Sequence, residues 1–463
     1  MSSFSGISVA LSALQAQRRA MDVTGNNVAN ANTDGYTRQR AALAPLGPPG
    51  VPSMHSVARL TGSGVSVSAI ERLNDAFLDA RVRAEVSSGG FLTTRKDVLV
   101  GIEQLLREPS DTGLSAQLDQ FWSAWEDLAN DPGGDAARSA LLQQGGVVAS
   151  TLNQSAEALN ARWMNTREQA RALVAEVNAT AAAVADLNDT IRGSVAVGQP
   201  ANELMDQRDL LVQRLSELTG ASVRQREDGG VDVLLAGSAL VRGSTSASIE
   251  ATGSTTLGDV TGQPVGFTWA GSDPARPVSG VHGTLGALVK GLNEDLPDAM
   301  AGFDKVAAAL VASVNSVHVT GVDGGGQPGG AFFDPAGVTA ASIVVALTDP
   351  SQVAAAAAGQ GDLDGSLADR IATQARSAPE SAWRDMVVSV GVQVQSATRR
   401  AAAQADVVAQ AMAAQASVAG VDLDEEMTNL VMFQRAYEGA ARVMTAVDQA
   451  LDVLINRTGL VGR

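Results

Sequence analysis

The chain of 463 residues contains no cysteine. Disulfides, thiolate metal sites and cysteine nucleophiles are therefore excluded, although this absence does not fix the compartment. Aromatic residues make up only 3%, so the apolar mass comes from Ala, Val and Leu and suits long helices better than an aromatic-lined cleft. Lysine occurs only at Lys96, Lys290 and Lys305, which leaves no polybasic patch for a membrane surface. The formal net charge of −17 argues against nucleic acid as a partner, because that role needs a basic face. No apolar run is long enough to span a bilayer. The first twenty residues lack the early positive charge and continuous apolar stretch of a cleaved secretory signal.

What is present is a large apolar fraction, 45%, arranged at helical spacing. Ile7, Leu14, Met21 and Val28 recur every seven residues near the N-terminus, with Ala10 and Leu11 beside them. An Asn- and Gly-rich stretch from Gly25 to Gly35 predicts a break, and Pro45, Pro48, Pro49 and Pro52 predict an extended linker. From about Arg72 to Thr219 the pattern is helical, with the stripe Leu114, Leu118, Phe121, Trp122, Trp125 and Leu128 read as core. Gly220 fits a helix C-cap. Short strand-like runs then follow: Val231–Leu235 after the turn Glu227-Asp228-Gly229-Gly230, then Leu240-Val241 and residues 265–269. Helical periodicity returns at Phe303, Val306, Leu310, Val314 and Val317, Ile343-Val344-Val345 reads as one more strand, and residues 378–419 read as one long Ala- and Gln-rich helix.

The C-terminal segment carries a sustained heptad. Leu430, Tyr437, Met444 and Leu451 fall at one position, and Phe433, Ala440, Val447 and Leu454 at the other. Asp422 fits an N-cap with Glu425 at capping-box spacing, and Arg457 and Gly459 fit a C-terminal end. Such a repeat implies a partner helix, and the only comparable stripe lies at the opposite end of the chain.

No reactive constellation emerges. Gly324, Gly326 and Gly329 satisfy G-x-G-x-x-G, but Pro328 and the lack of a strand–helix context make the segment a surface turn. Asp362 and Asp364-Gly365 lack the remaining acidic ligands of a calcium loop. His55, His282 and His318 lie far apart and read as surface or packing residues. No catalytic, metal or cofactor residues are expected.

Residues 25–39, from Gly25-Asn26-Asn27-Val28-Ala29-Asn30 to Gly35-Tyr36-Thr37-Arg38-Gln39, resemble the N-terminal signature of the bacterial flagellar axial proteins, the rod, hook and hook-associated proteins. Residues 421–437, with Val421-Asp422-Leu423-Asp424-Glu425-Glu426 and Phe433-Gln434-Arg435-Ala436-Tyr437, resemble the matching C-terminal signature. The two tyrosines of the chain, Tyr36 and Tyr437, fall one in each segment. Within this family the variant Gly35-Tyr36-Thr37-Arg38-Gln39, the run Asn202-Glu203-Leu204-Met205-Asp206-Gln207-Arg208-Asp209 and the ending Thr458-Gly459-Leu460-Val461-Gly462-Arg463 are similar to the hook-associated proteins of the hook–filament junction. A hook or distal-rod protein is the nearest alternative; a cytoplasmic coiled-coil scaffold and a hydrolase hidden in the β-rich segment are more distant ones.

The resemblance implies a mainly α fold: a long-helix rod with paired terminal coiled-coil helices and a small inserted β-rich domain. On that basis residues 1–40 form an inner N-terminal coiled-coil segment paired with a C-terminal helix over 421–463. A helical rod covers 41–219 and 297–420, with one strand near 341–347, and a β-rich outer domain covers 220–296. An additional outer domain of longer relatives, expected after Phe332-Phe333, is absent because Ile343-Val344-Val345 follows almost at once. The implied role is structural, in the extracellular flagellum, after export through the flagellar type III channel with the ends unstructured. The implied partners are identical subunits in a ring, the hook protein, the second junction protein and an export chaperone. The implied assembly residues are Ile7, Leu14, Met21, Asn26, Asn27, Val28, Asn30, Gly35, Tyr36 and Arg38 at one end. At the other they are Leu423, Leu430, Phe433, Tyr437, Met444, Val447, Leu451 and Leu454.

Overall fold

The computed structural model describes residues 3–46, 63–361 and 363–457. Pro48, Pro49, Pro52, His55, Asp362, Gly459 and the ending at 458–463 lie outside them. The chain opens with α1 (Ser3–Ala29), followed by the antiparallel ribbon β1 (Gln39–Pro45) and β2 (Val65–Arg72). Three helices come next: α2 (Ala76–Leu106), α3 (Leu114–Asn130) and the 62-residue α4 (Asp135–Ala196). At the usual rise α4 is about 90 Å long. Asp75 caps α2, its side chain accepting from the Phe77 and Leu78 amides. α5 (Asn202–Thr219) ends at Gly220, which takes the left-handed conformation, φ 75°, that glycine adopts without strain.

The small strands follow α5. β3 (Ser222–Gln225), β4 (Val231–Leu235), β5 (Ser238–Arg242) and β6 (Thr245–Ser246) form a four-stranded antiparallel sheet, and β7 (Ile249–Thr252) pairs with β8 (Gly266–Trp269). The helical part resumes with α6 (Gly283–Lys290), a π-turn over Gly291–Asp295 and α7 (Leu296–His318). β9 (Gly321–Asp323) pairs with β10 (Ala354–Ala357), and α8 (Ser366–Arg370) leads through a π-turn to the 43-residue α9 (Ser377–Ala419). Finally α10 (Leu423–Asp452) ends in a π-turn over Val453–Arg457.

One continuous apolar core joins α2, α3, α4, α7 and α9 to the strands. Its densest part is aromatic: Phe121, Trp122 and Trp125 of α3 meet Phe332 and Phe333, with Phe332–Phe333 ring centroids 4.9 Å apart and Trp125–Phe332 5.4 Å apart. α9 returns antiparallel along α2, where Gln404 donates to Glu85 and Gln415 to Asp79.

Three sequence expectations change. The Asn- and Gly-rich stretch does not break the first helix at Gly25, because α1 runs to Ala29. Residues 39–45 and 65–72 form a ribbon, with Pro45 at the end of its first strand, and the Val65-Ser66-Val67-Ser68 alternation is its period-two signal. The strand expected near 341–347 is a single bridge, Phe333 with Val345; turns precede it, and Val344 is exposed with no strand beside it.

Candidate functional site

α1 and α10, from opposite ends of the chain, lie side by side and antiparallel. Asn27 meets Glu426 at the root, and Gly6 lies near Val447 towards the tip, where an added Cβ would sit 3.2 Å from a valine methyl. α1 is covered by α10 on one side and by the β1–β2 ribbon on another. Its buried stripe is Ala10, Ala16, Ala20, Val23, Thr24 and Asn27. Ile7, Leu14, Met21 and Val28, the stripe read from the sequence, are only half-buried beside it. Small side chains occupy the tight contact, and the larger heptad residues flank it.

On α10 the expected seam residues Leu430, Phe433, Met444, Val447 and Leu451 are half-buried, whereas Leu423, Tyr437 and Leu454 are exposed. Among its described residues only Glu426 is buried. A second apolar stripe runs along the same helix: Met432, Ala436, Gly439, Val443, Ala446 and Ala450 recur at spacings of three and four, and all are exposed. It lies about a quarter turn from the first.

The signature segments converge at the root of the pair. The buried Asn27 uses both ends of its amide: Nδ2 donates to Glu426 Oε2 at 3.0 Å and to the Gln39 carbonyl at 2.9 Å. Its Oδ1 accepts from the Gln39 amide at 3.0 Å and the Tyr36 hydroxyl at 2.9 Å. Asn26 donates to the Tyr36 oxygen, and Asn30 donates to the Asn26 side chain. Arg38 forks across the start of α10, Nε to Glu426 at 2.7 Å and one terminal nitrogen to Glu425 at 2.6 Å. Asp422 caps α10 through the Asp424 and Glu425 amides, but the Glu425 side chain goes to Arg38, so only half of the expected capping box forms. Gly35, φ 76°, supplies the left-handed turn before Tyr36 and rests against Leu210.

The third motif, on α5, meets the same loop. Asp206 accepts from the Thr37 amide at 3.1 Å and pairs with Arg72 at 2.9 Å. Asn202 donates to the Gln39 side chain and to the Ile70 carbonyl, while Gln39 donates to Glu203. Arg72 also reaches Asp209 at 2.8 Å. Burial, with Glu203, Asp206 and Glu426 nearby, pushes the Tyr36 hydroxyl up to about 12, so it remains a neutral donor. Burial likewise raises Asp206, against the opposing pull of Arg72 and Thr37. Glu426, Asp206, Arg72 and Asn202 were not among the candidate site residues. Asn202 and Asp206 lie in the motif at 202–209 and Glu426 in the C-terminal signature, whereas nothing in the sequence singles out Arg72.

Elsewhere the glycine loop is internally bonded: Asp323 Oδ1 accepts from Gly325 and Gln327, and the Gly324 amide goes to Ser351. Asp364 accepts from the Ser366 amide and hydroxyl at the start of α8. Among the described residues no group of three His, Asp or Glu is placed to hold a metal ion, and no helix is long and apolar enough to cross a membrane.

Comparison with known proteins agrees on one family. Residues 99–333 match the helical domain of the flagellar hook-associated protein FlgK, residues 7–37 match the flagella basal body rod protein model, and residues 415–457 match the C-terminal model of the flagellar basal body rod proteins FlgEFG. The chain is 31% identical to flagellar hook-associated protein 1 of Bacillus subtilis (strain 168), over the whole of both. It is 30% identical to the protein of that name from Salmonella typhimurium (strain LT2), over 71% of this chain and 59% of that one. The structure is similar to that of the flagellar hook junction protein FlgK from Burkholderia pseudomallei, with a TM-score of 0.65 at 16% identity, over 73% of this chain and all of that one.

Proposed function

The chain belongs to the flagellar hook-associated protein 1 family and is a structural subunit of the hook–filament junction of the bacterial flagellum, and from that premise we propose how its surfaces are used. The carrying observation is the uncovered second stripe of α10, Met432 to Ala450, beside a helix pair already closed within one chain. Apolar side chains at coiled-coil spacing on a protruding helix call for another helix. The occupant is a neighbouring copy of the same terminal pair, so that identical subunits close a ring with the paired ends innermost, the helical body around them and the β3–β8 region outside. Ile7, Leu14, Met21 and Val28, with Leu423, Tyr437 and Leu454, flank this contact and complete it. The partners along the axis are the hook protein on one side and the second junction protein on the other. Export through the flagellar type III channel with a dedicated chaperone precedes assembly. The role is non-enzymatic and needs no cofactor, nucleic acid or membrane.

Immunogold labelling of isolated hook–basal bodies is the test. Labels confined to the distal end of the hook support the reading. Labels along the whole hook, or on the rod, would transfer it to a hook or rod protein.

A further inference from the structure

A groove of about 630 Å³ runs beside α2, walled on its far side by the junction of α5 with β3 and by the start of α6. Arg83, Ser87, Ser88 and Phe91 of α2 line it, with Val223 and His282 opposite, and no aspartate or glutamate does. That is unusual in a chain of 50 acidic and 33 basic residues. The guanidinium of Arg83, half-buried, makes no hydrogen bond or ion pair among the described residues. The two carboxylates nearest in charge to it are already engaged: Asp79 accepts from Gln415 and Asn74, and Asp209 from Arg72 and Arg208. Burial lowers the Arg83 pKa from its ordinary value, with Asp79 and Asp209 opposing through space. A guanidinium withdrawn from water with none of its five donors bonded calls for an acceptor. The first turn of α10 has the complementary surplus. Glu425 and Glu426 hold Arg38, whereas Asp424 is exposed and its carboxylate has no partner among the described residues. Leu423 and Met427 beside it are each about half exposed. Both surfaces lie at the root of the terminal pair: Asp79, one turn before Arg83, meets Gln415 near the end of α9, and α10 follows α9 directly.

We propose that the groove beside α2 receives the first turn of α10 from a neighbouring copy of the chain, with Asp424 paired to Arg83 and with Leu423 and Met427 against Phe91 and Val223. Neither charge has a partner in its own chain, and across two chains opposite charges and exposed apolar side chains match. Subunits related by rotation about a ring axis keep the same height, so the root of one chain faces the root of the next. The contact is heterologous, groove to helix start, and such contacts continue around a ring where a self-matching contact stops at a pair. The identity of the partner rests on the ring reading above; the unpaired state of Arg83 does not.

Charge exchange tests the pair in cells. Arg83→Glu and Asp424→Arg are each expected to lower incorporation at the hook tip roughly tenfold or more, and the two together in one chain to restore most of it. Unchanged melting temperatures of the purified variants serve as the check that the body still folds. A double variant no better than either single one would overturn the pairing. The absence of cysteine permits a second, independent reading. Ser88→Cys and Met427→Cys in one chain, treated with a short bismaleimide in isolated hook–basal bodies, should give a ladder of covalent multimers that neither single variant gives. A linked monomer in place of the ladder would show the groove meeting its own chain's α10, and no linkage at all would show a groove that faces elsewhere; either result overturns the proposal. Immunogold labelling locates the protein separately. Labels away from the hook tip would overturn the junction reading, while the ladder still reports the contact in whichever axial structure carries the chain.

Discussion

At the scale of single residues, His318 shows how a bland sequence position acquires a defined state. It is fully buried, its Nδ1 lies 2.7 Å from the Gly330 carbonyl and its Nε2 accepts from the Ala354 amide at 2.9 Å. Both bonds are made only by the neutral ring with its proton on Nδ1. Burial pushes its pKa below the ordinary value, with Arg138 acting the same way and the Gly330 bond and Asp323 opposing. The unfolded chain therefore binds this proton first. The stabilisation is complete above about pH 6.5 and is lost as pH falls towards the lower native value, at up to about 1.4 kcal/mol per unit. Urea unfolding at a series of pH values should show this slope in the native chain and a flatter one in His318→Gln; equal slopes would count against the assignment. Glu438 is the contrasting case. Its spacing suggests a pair with Arg442, yet it bonds Arg435 at 3.2 Å with both side chains more than half exposed. Glu438→Ala should change stability by less than about 0.5 kcal/mol in the same assay. Which histidine is buried was readable in part, since His318 continues the Phe303, Leu310, Val314 stripe of α7. Which arginine pairs with Glu438 was not, because two rotamer-rich partners lie within reach.

At the scale of elements, the long helices were legible because period-3.6 patterning is redundant over many turns: residues 378–419 were expected as a helix and α9 spans Ser377–Ala419. Short strands offer no such redundancy. The β1–β2 ribbon hid behind four prolines, and Ile343-Val344-Val345 imitated a strand while making one bridge. The helices pack through small residues as much as large ones. At Gly145 of α4 an added Cβ would stand 2.9 Å from the Phe332 ring and 3.4 Å from Phe121. The glycine is what lets α4 close on the aromatic cluster. Gly145→Val should therefore destabilise the body by about 1–3 kcal/mol through overpacking. Thermal unfolding with near-ultraviolet circular dichroism would register it, since Trp122 and Trp125 report on the same cluster. A melting temperature equal to that of the native chain would mean that the cluster yields without strain.

At the scale of the whole molecule, the sequence located both ends of the pair but not their use. A heptad states that a helix wants a partner and does not state whether the partner belongs to the same chain. α10 carries two stripes: Leu430, Phe433, Met444, Val447 and Leu451 turn towards α1, and Met432 and Val443, each about half exposed, turn away. The two faces can be separated by substitution. Leu451→Asp places a charge in the seam with α1, near the tip, and should loosen the distal pair while leaving the melting temperature of the body unchanged, because the continuous core does not include α10. Val443→Asp leaves that seam intact, and in a free subunit its carboxylate is solvated and costs almost nothing. With the second stripe covered by a neighbouring copy, as proposed above, the same carboxylate would be buried without a partner, at a cost of several kcal/mol per subunit. Purified Val443→Asp should therefore melt like the native chain and keep its exchange pattern, yet fail to join the hook tip, so that cells keep hooks, shed unpolymerised filament protein and lose motility. Leu451→Asp should also block incorporation. Normal motility in Val443→Asp would show that the second stripe faces solvent in the junction and that the flanking residues Leu423, Tyr437 and Leu454 carry the contact. A Val443→Asp body that melts early would instead mean that α10 lies against its own subunit's core.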